Sequence, residues 1–156
     1  MSEIYIKPTA EAVTSLLAVI YGDDLKTCEL DTAAISGQRI ATFIDDDDKL
    51  VAACVCDRHF VIYSGAALAM IPAGGTEDMI AENSISDAIA GNFHEVMNIC
   101  SKLLMSDSSA HLRLDKTLDC AQQVDLGASI DTLATHLGFQ VEIPGYGKGA
   151  MAIYMN

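Results

Sequence analysis

The stretch SISDAIAGNFHEVMNICSKLLM, from Ser84 to Met105, predicts the longest amphipathic helix of the chain. At about 100° per residue, apolar residues gather on one side of this helix and polar or small residues on the other. The apolar side holds Ile85, Ile89, Phe93, Val96, Ile99, Cys100, Leu103 and Leu104. The polar side holds Asp87, Gly91, His94, Glu95, Asn98, Ser101 and Lys102. An apolar stripe this wide predicts that the helix is buried against a sheet or another helix.

The polar side of this helix has an unusual centre, formed by Gly91, Glu95 and Asn98. A solvated helix face commonly carries several charged side chains that pair at i,i+4. Here an amide and a glycine stand where Lys or Arg would be commoner. Two interpretations stay open at this point, an ordinary solvent-exposed face and a face with a chemical role.

The composition predicts one globular domain over residues 1–156, because 51% of the residues are apolar and 20% are charged. Nine Lys and Arg residues stand against 22 Asp and Glu residues, a formal net charge of −13. This charge argues against nucleic acid and against anionic membrane surfaces as partners. It favours a basic patch on a partner protein, although solubility or adaptation to salt explains an acidic chain equally well.

The cysteines and the apolar runs predict a cytoplasmic protein without membrane insertion. Five cysteines form no CxxC pair, and no signal peptide is recognised, so free thiols in a reducing compartment are expected. Cys54 and Cys56 are expected to share one face of a strand, and two thiolates alone do not make a zinc site. The uncharged run Phe60 to Ala73 is too short to span a bilayer, which predicts a buried helix or a strand–helix junction.

The remaining elements predict an α+β fold with long amphipathic helices on an antiparallel-rich sheet. Helices are expected over residues 8–20 with Thr9 as the cap, from Asp57 to about Met70, from a Thr76 cap, and over Gly127–Leu137 with Gly138 as the stop. Asn83 or Ser84 is expected to cap the long helix. Strands are expected at Cys28–Thr32, Gln38–Ile44, Leu50–Cys56, His111–Leu114 with a weaker run toward Val124, Phe139–Ile143 and Ala150–Tyr154. Each half of the chain therefore reads as a helix followed by strands, which indicates a possible internal duplication.

The standard catalytic and ligand-binding motifs are missing from the sequence. No GxSxG, GxxxxGK[ST] or HExxH occurs, and a Cys–His nucleophile pair is open but not indicated by any pattern. The acidic run 45–48 lacks the Gly and Glu of a calcium loop, so a solvated turn is expected there. The glycine-rich run Gly145–Gly149 lies between two strands, which favours a hairpin turn over a phosphate cradle. No metal site and no intrinsic cofactor are predicted.

The string Glu95-Val-Met-Asn98 is an ExxN on the exposed face of the long helix, and its surroundings resemble the CheC/CheX/FliY family of chemotaxis phosphatases. In that family a strand, a helix, a glycine-containing loop and a long helix with ExxN follow one another. The matching segments are VAACVCD, HFVIYSGAALAMIPAGG and SDAIAGNFHEVMNIC, within Leu50 to Leu104. Ser86-Asp87-Ala88 is similar to the acidic or hydroxyl residue and small residue that precede the Glu.

The resemblance implies hydrolysis of the aspartyl phosphate on a CheY-like receiver domain. Asn98 would orient the attacking water, and Glu95 would engage a basic residue of the regulator. Gly91 would let the regulator's backbone approach closely. Asp87, His94 and Lys102 would complete the partner-binding face. The resemblance implies no cofactor of the chain's own, since Mg²⁺ would be held by the regulator.

Three departures from the family keep other interpretations open. Lys102 stands where family members often have a small residue, and the segment His111–Lys116 lacks the family's strand proline. Glu11 is followed by Thr14, so the first helix does not repeat the ExxN. A single site resembles the one-site members, which tend to pair as homodimers. The alternatives are a catalytically silent module that docks a receiver or a flagellar-switch partner, and an unrelated α+β domain with a merely solvated helix face.

Overall fold

A computed structural model describes residues 5–120, 130 and 132–156. Within these residues the helices are α1 (Ala10–Tyr21), α2 (Arg58–Leu68), α3 (Glu77–Glu82) and α4 (Asp87–Cys100). The strands are β1 (Lys26–Leu30), β2 (Arg39–Ile44), β3 (Leu50–Cys56), β4 (Arg113–Asp119), β5 (Thr135–Ile143) and β6 (Gly147–Met155). The described strands form one antiparallel sheet in the order β1-β5-β6-β3-β2-β4. The α+β prediction is confirmed.

The helices cover one face of the sheet, and the main core lies between them. Period-2 alternation directs Cys54, Phe139 and Met151 of the central strands toward this core, where they meet Leu17 of α1 and Phe93 of α4. A smaller cluster around Ile40, Ala53 and Ile130 lies apart from it. The alternate residues of β2 and β3 therefore divide between two apolar clusters.

The sheet order is unchanged when β1 is exchanged with β4, β2 with β5 and β3 with β6, and the list is reversed. In the same exchange α1, which precedes β1, corresponds to α4, which precedes β4. The order of elements thus has the two-fold pattern that an internal duplication produces. It makes α1 the counterpart of the helix that carries the ExxN.

The helix caps explain where the helices begin. Thr9 caps α1, as predicted, by accepting from the backbone N–H of Ala12 at 3.1 Å. The cap predicted for the long helix is wrong by two or three residues, because Ser86, not Asn83 or Ser84, accepts from Ile89 N at 3.2 Å. Asn83 instead ends α3 in the left-handed region, at φ 51°. Thr76 stands at the N-cap position of α3, as predicted, but its hydroxyl makes no capping bond and donates instead to the carbonyl of Ala73.

The prediction of a helix over Gly127–Leu137 is wrong at its C-terminal end, because Thr135–Leu137 form the start of β5. Residues 127–129 and 131 lie outside the described residues, as do 121–124 of the weak run toward Val124. The i,i+4 spacing of Leu133 and Leu137 suggested a helix, but alternation from Leu137 onward places Phe139 and Val141 in the core. Gly138 does not stop a helix. It lies inside β5, and the position requires glycine because a Cβ there would come within 2.1 Å of the Leu30 carbonyl oxygen of β1.

The five cysteines are free, and their environments differ. Cys54 and Cys56 share one face of β3, as predicted, with their Sγ atoms 3.7 Å apart. Burial, reinforced by Cys54, raises the pKa of the Cys56 thiol, and burial also raises the pKa of Cys100. These thiols are therefore held protonated inside the core.

Candidate functional site

α4 is fixed to the core by the apolar stripe that its sequence predicts. Ile89, Phe93, Val96 and Cys100 are buried, as is Met97, which the helical projection had not assigned to the stripe. α2 crosses α4 at Gly65, where a Cβ would lie 2.9 Å from the Ile89 carbonyl oxygen. A glycine at this crossing lets the two helix backbones approach closely.

Two polar side chains tie the flanks of α4 to neighbouring elements. On one side Asn92 donates its amide Nδ2 to the Gly65 carbonyl of α2, at 3.0 Å. On the other side His94 Nδ1 lies 3.0 Å from Thr117 Oγ1 of β4. His94 is exposed, and this contact joins α4 to β4. Its role in partner binding stays a prediction.

Asp87, Gly91, Glu95 and Asn98 are all exposed on α4 and point away from the core. Glu95 and Asn98 are three residues apart, which places them one turn apart on neighbouring positions of the helix surface. Within the described residues, neither the Glu95 carboxylate nor the Asn98 amide has a hydrogen-bond partner. A Cβ added to Gly91 would have no other atom within 4 Å. This surface of Asp87, Gly91, Glu95 and Asn98 is the ExxN face.

The C-terminal end of α4 departs from the helical projection. The helix gives way to a 3₁₀ turn over Ser101–Leu104, in which the angular step per residue is larger than in an α-helix. Ser101 is consequently 8% exposed and donates its hydroxyl to the Asn98 carbonyl at 2.7 Å. Its assignment to the polar side is therefore wrong. Lys102 is exposed, as predicted, and lies between the ExxN face and α1.

The chemistry available on the ExxN face is that of an amide beside a carboxylate. An amide both donates and accepts hydrogen bonds and does not titrate, so it can orient a water molecule over a wide pH range. A carboxylate offers a charged acceptor for a basic side chain of a partner. Among the described residues, no group of three His, Cys, Asp or Glu side chains is placed to hold a metal ion. None of the described helices has the length and apolar character needed to cross a membrane.

Comparison with known proteins identifies the fold. No family model and no curated protein matches the chain. A chain of the FliM–SpeE complex from H. pylori matches with a TM-score of 0.66 at 10% identity, over 94% of this chain and 80% of that one. The FliM middle domain from Vibrio alginolyticus matches with a TM-score of 0.58 at 10% identity, over 94% and 87%.

A CheX–CheY complex from Borrelia burgdorferi matches more loosely, with a TM-score of 0.45 at 12% identity, over 94% of both chains. At these identities the likeness concerns the fold and not the residues of the site. The sequence resemblance rested on a strand, a helix, a glycine-containing loop and a long helix in succession. The structure has these elements in this order, as β3, α2, the loop after α2 and α4. The chain therefore has the fold of the FliM middle domain.

Proposed function

We propose that this chain accelerates hydrolysis of the aspartyl phosphate on a CheY-like response regulator, with Asn98 orienting the attacking water. The observation that carries the proposal is the pairing of Glu95 and Asn98 on one exposed surface of α4. Within the described residues both side chains lack a hydrogen-bond partner, so both are available to a second protein. The resemblance of the segments within Leu50 to Leu104 to the CheC/CheX/FliY family supports this use of the surface.

The reaction demands little covalent chemistry of the chain. Water attacks phosphorus, the bond to the aspartate oxygen breaks, and inorganic phosphate and the free aspartate result. Catalysis of such a transfer is mostly positioning and charge stabilisation. In this proposal the regulator holds Mg²⁺ and the phosphoryl group, and the chain supplies only the amide of Asn98 and the docking surface.

Glu95 has the docking role in this proposal. Its exposed carboxylate would pair with a basic side chain of the regulator and fix the register of Asn98 over the phosphoryl group. The open space around Gly91 leaves room for the regulator's backbone, and Asp87 and His94 flank the contact. The net charge of −13 would favour encounter with a basic surface. We place this activity in the cytoplasm, in keeping with the five free thiols.

The proposal predicts separable effects for the two residues. Asn98→Ala should lower the accelerated release of phosphate about 10²-fold, because a misplaced water loses the benefit of positioning, while binding of the regulator is largely retained. Glu95→Lys should weaken binding of the regulator instead, because it places two positive charges against each other. Phosphate release and binding are measured with receiver domains phosphorylated by a small-molecule phosphodonor in the presence of Mg²⁺.

The matched control is Glu82→Lys, which makes the same charge change at an exposed Glu in the last turn of α3. It should leave both phosphate release and binding near wild type. If no phosphorylated receiver from the source genome loses phosphate faster with the wild-type chain, the enzymatic proposal is wrong.

A catalytically silent docking module is the second candidate, and Lys102 favours it. The exposed ammonium group lies in the 3₁₀ turn directly after α4 and would oppose the approach of a regulator whose contact there is basic. FliM, which has this fold, occurs in a complex with SpeE, and this supports a partner-binding role for this chain. Saturable receiver binding without any acceleration of phosphate release, in the wild type and in Lys102→Gly alike, would select this candidate.

A further inference from the structure

α1 is unusually poor in charge for a helix that borders solvent. In its sequence AEAVTSLLAVIY the only charged residue is Glu11. Val13 and Leu17 face the core and are fully buried, Leu16 on the flank is half-buried against the same core, and Val19 on the outer side is exposed. A helix that is apolar on more than one side is usually covered on more than one side. The outer side of α1 therefore has the character of a contact surface.

The outer side of α1 forms one wall of a groove, and the 3₁₀ turn after α4 forms the other. Its volume is about 440 Å³, and its main lining residues are Ile6, Leu16, Val19, Lys102, Leu103 and Met105. We call it the Lys102 groove. Val19 is 85% exposed and Ile6 41%, two of the three large apolar side chains that are exposed in the described part of the chain. The third, Met70, lies elsewhere, at the end of α2.

Lys102 is the only charged side chain among the described residues that line the groove. An ammonium group beside an apolar groove suits a partner with apolar side chains and a carboxylate at their edge. In a chain of net charge −13 most of the surface repels a carboxylate, so Lys102 would be a local point of attraction for one. Lys102 lies in the 3₁₀ turn directly after α4, so the groove begins at the C-terminal end of the helix that carries the ExxN face.

The size of the ExxN face makes a further contact surface necessary for stable docking. A 14-residue helix is about 21 Å long, and a strip of its surface about 10 Å wide offers on the order of 200 Å². A typical specific interface buries about 800 Å² on each partner and has an apolar centre. The ExxN face is polar, and on its β4 side α4 meets the strand through the polar pair His94 and Thr117. Of these neighbouring surfaces, the Lys102 groove is the apolar one.

We propose that the Lys102 groove is the second half of the regulator-docking surface and receives an apolar helix face of the receiver domain that is bordered by a carboxylate. This inference rests on the proposed function and adds where the binding energy comes from. The ExxN face positions the phosphoryl group, and the groove anchors the regulator through Val19, Leu16 and Lys102.

The test uses the full chain with Val19→Glu and Lys102→Glu, and Met70→Glu as the matched control. Val19 and Met70 are both 85% exposed, so each change places the same carboxylate on the surface with little effect on folding, which circular dichroism verifies. Binding is measured by titration with the phosphorylated receiver domain, and turnover by phosphate release. Val19→Glu should weaken binding about tenfold and raise KM with kcat retained at saturation. Lys102→Glu should weaken binding several-fold at low salt and less at high salt, and Met70→Glu should match the wild type.

The outcomes separate this inference from the function on which it rests. If the wild type binds and dephosphorylates a receiver, but Val19→Glu and Met70→Glu both behave like it, the groove proposal is wrong and the proposed function stands. If no receiver is bound or dephosphorylated by the wild type, the proposed function fails first. If Val19→Glu instead changes the oligomeric state in sedimentation while receiver binding is unaffected, a second copy occupies the groove, which also overturns the proposal.

Discussion

Gly149 lies in β6 directly beneath the first turn of α2. A Cβ on this residue would come within 2.4 Å of the Phe60 Cα and 2.5 Å of the Phe60 backbone nitrogen. These are helix backbone atoms, which cannot swing aside as the end of a long side chain can. The close contact sets the height of α2 above the sheet, and α2 in turn supports α4 through Gly65.

We predict that Gly149→Ala destabilises the chain by about 3 kcal/mol or more, because α2 must move away from the sheet to admit the methyl group. Gly91→Ala is the matched control. No atom lies within 4 Å of its Cβ position, and alanine is the better helix former, so a gain of about 0.5–1 kcal/mol is expected. Urea unfolding followed by circular dichroism measures both. Equal losses of stability in the two variants would contradict this account of Gly149.

At the scale of elements, Asp57 joins α2 to the sheet. Its Oδ1 atom accepts from Phe60 N at 2.8 Å, which caps α2, and from Ala150 N of β6 at 3.0 Å. Ser86 caps α4 through a single bond to Ile89 N. One carboxylate thus serves two elements, whereas the hydroxyl of Ser86 serves one.

Asp57→Ala should therefore lower the free energy of unfolding more than Ser86→Ala does. The loss of one cap costs about 1 kcal/mol, and an uncapped α2 with an unpaired Ala150 N–H should cost about 2–3 kcal/mol. Asp57→Asn should recover part of the loss, since its side-chain oxygen can accept both bonds. The free energies of unfolding of the three variants test the ranking, and a Ser86→Ala loss equal to that of Asp57→Ala would refute it.

At the scale of the whole molecule, the buried thiols link stability to pH. The pKa values of Cys56 and Cys100 are raised in the folded chain, mainly by burial. A thiol in the unfolded chain has a pKa of about 8.5. Above that pH the unfolded state releases thiol protons that the folded state keeps. The contribution of the two thiols to the free energy of unfolding is therefore fully present below about pH 8.5 and is lost as the pH rises.

The free energy of unfolding should accordingly fall between pH 8.5 and 10, with a slope approaching about 1.4 kcal/mol per pH unit for each thiol. Cys100→Ala should remove one such contribution and make the decline shallower, whatever it does to the stability at pH 7. Cys120, whose pKa burial raises to about 11, adds a further contribution over the same range. Denaturant titrations at several pH values measure the slope. An unchanged stability from pH 8 to pH 10 would show that these thiols are not buried as described.

Local patterns in the sequence were sufficient for most elements. The stripe of Ile89, Phe93 and Val96 predicted the buried side of α4, and Thr9 predicted the start of α1, because periodicity and caps act over a few residues. The hairpins β2–β3 and β5–β6 follow from alternation on either side of short polar turns. The exposure of Glu95 and Asn98 could also be predicted, since they lie opposite that stripe. Their catalytic role stays a prediction.

Other features depend on contacts between distant segments. Leu133 and Leu137 have a spacing typical of a helix, but Leu137 lies in β5, where it pairs with Ile153 of β6 and where the strand buries Phe139. The Lys102 groove joins α1 to the turn after α4, residues some 85 positions apart in the chain, and so has no local signature. The sequence by itself determined which side of α4 is buried, because a helix repeats over a few residues. Only the tertiary structure decided what lies beside that helix, because that depends on which strands pair across the whole chain.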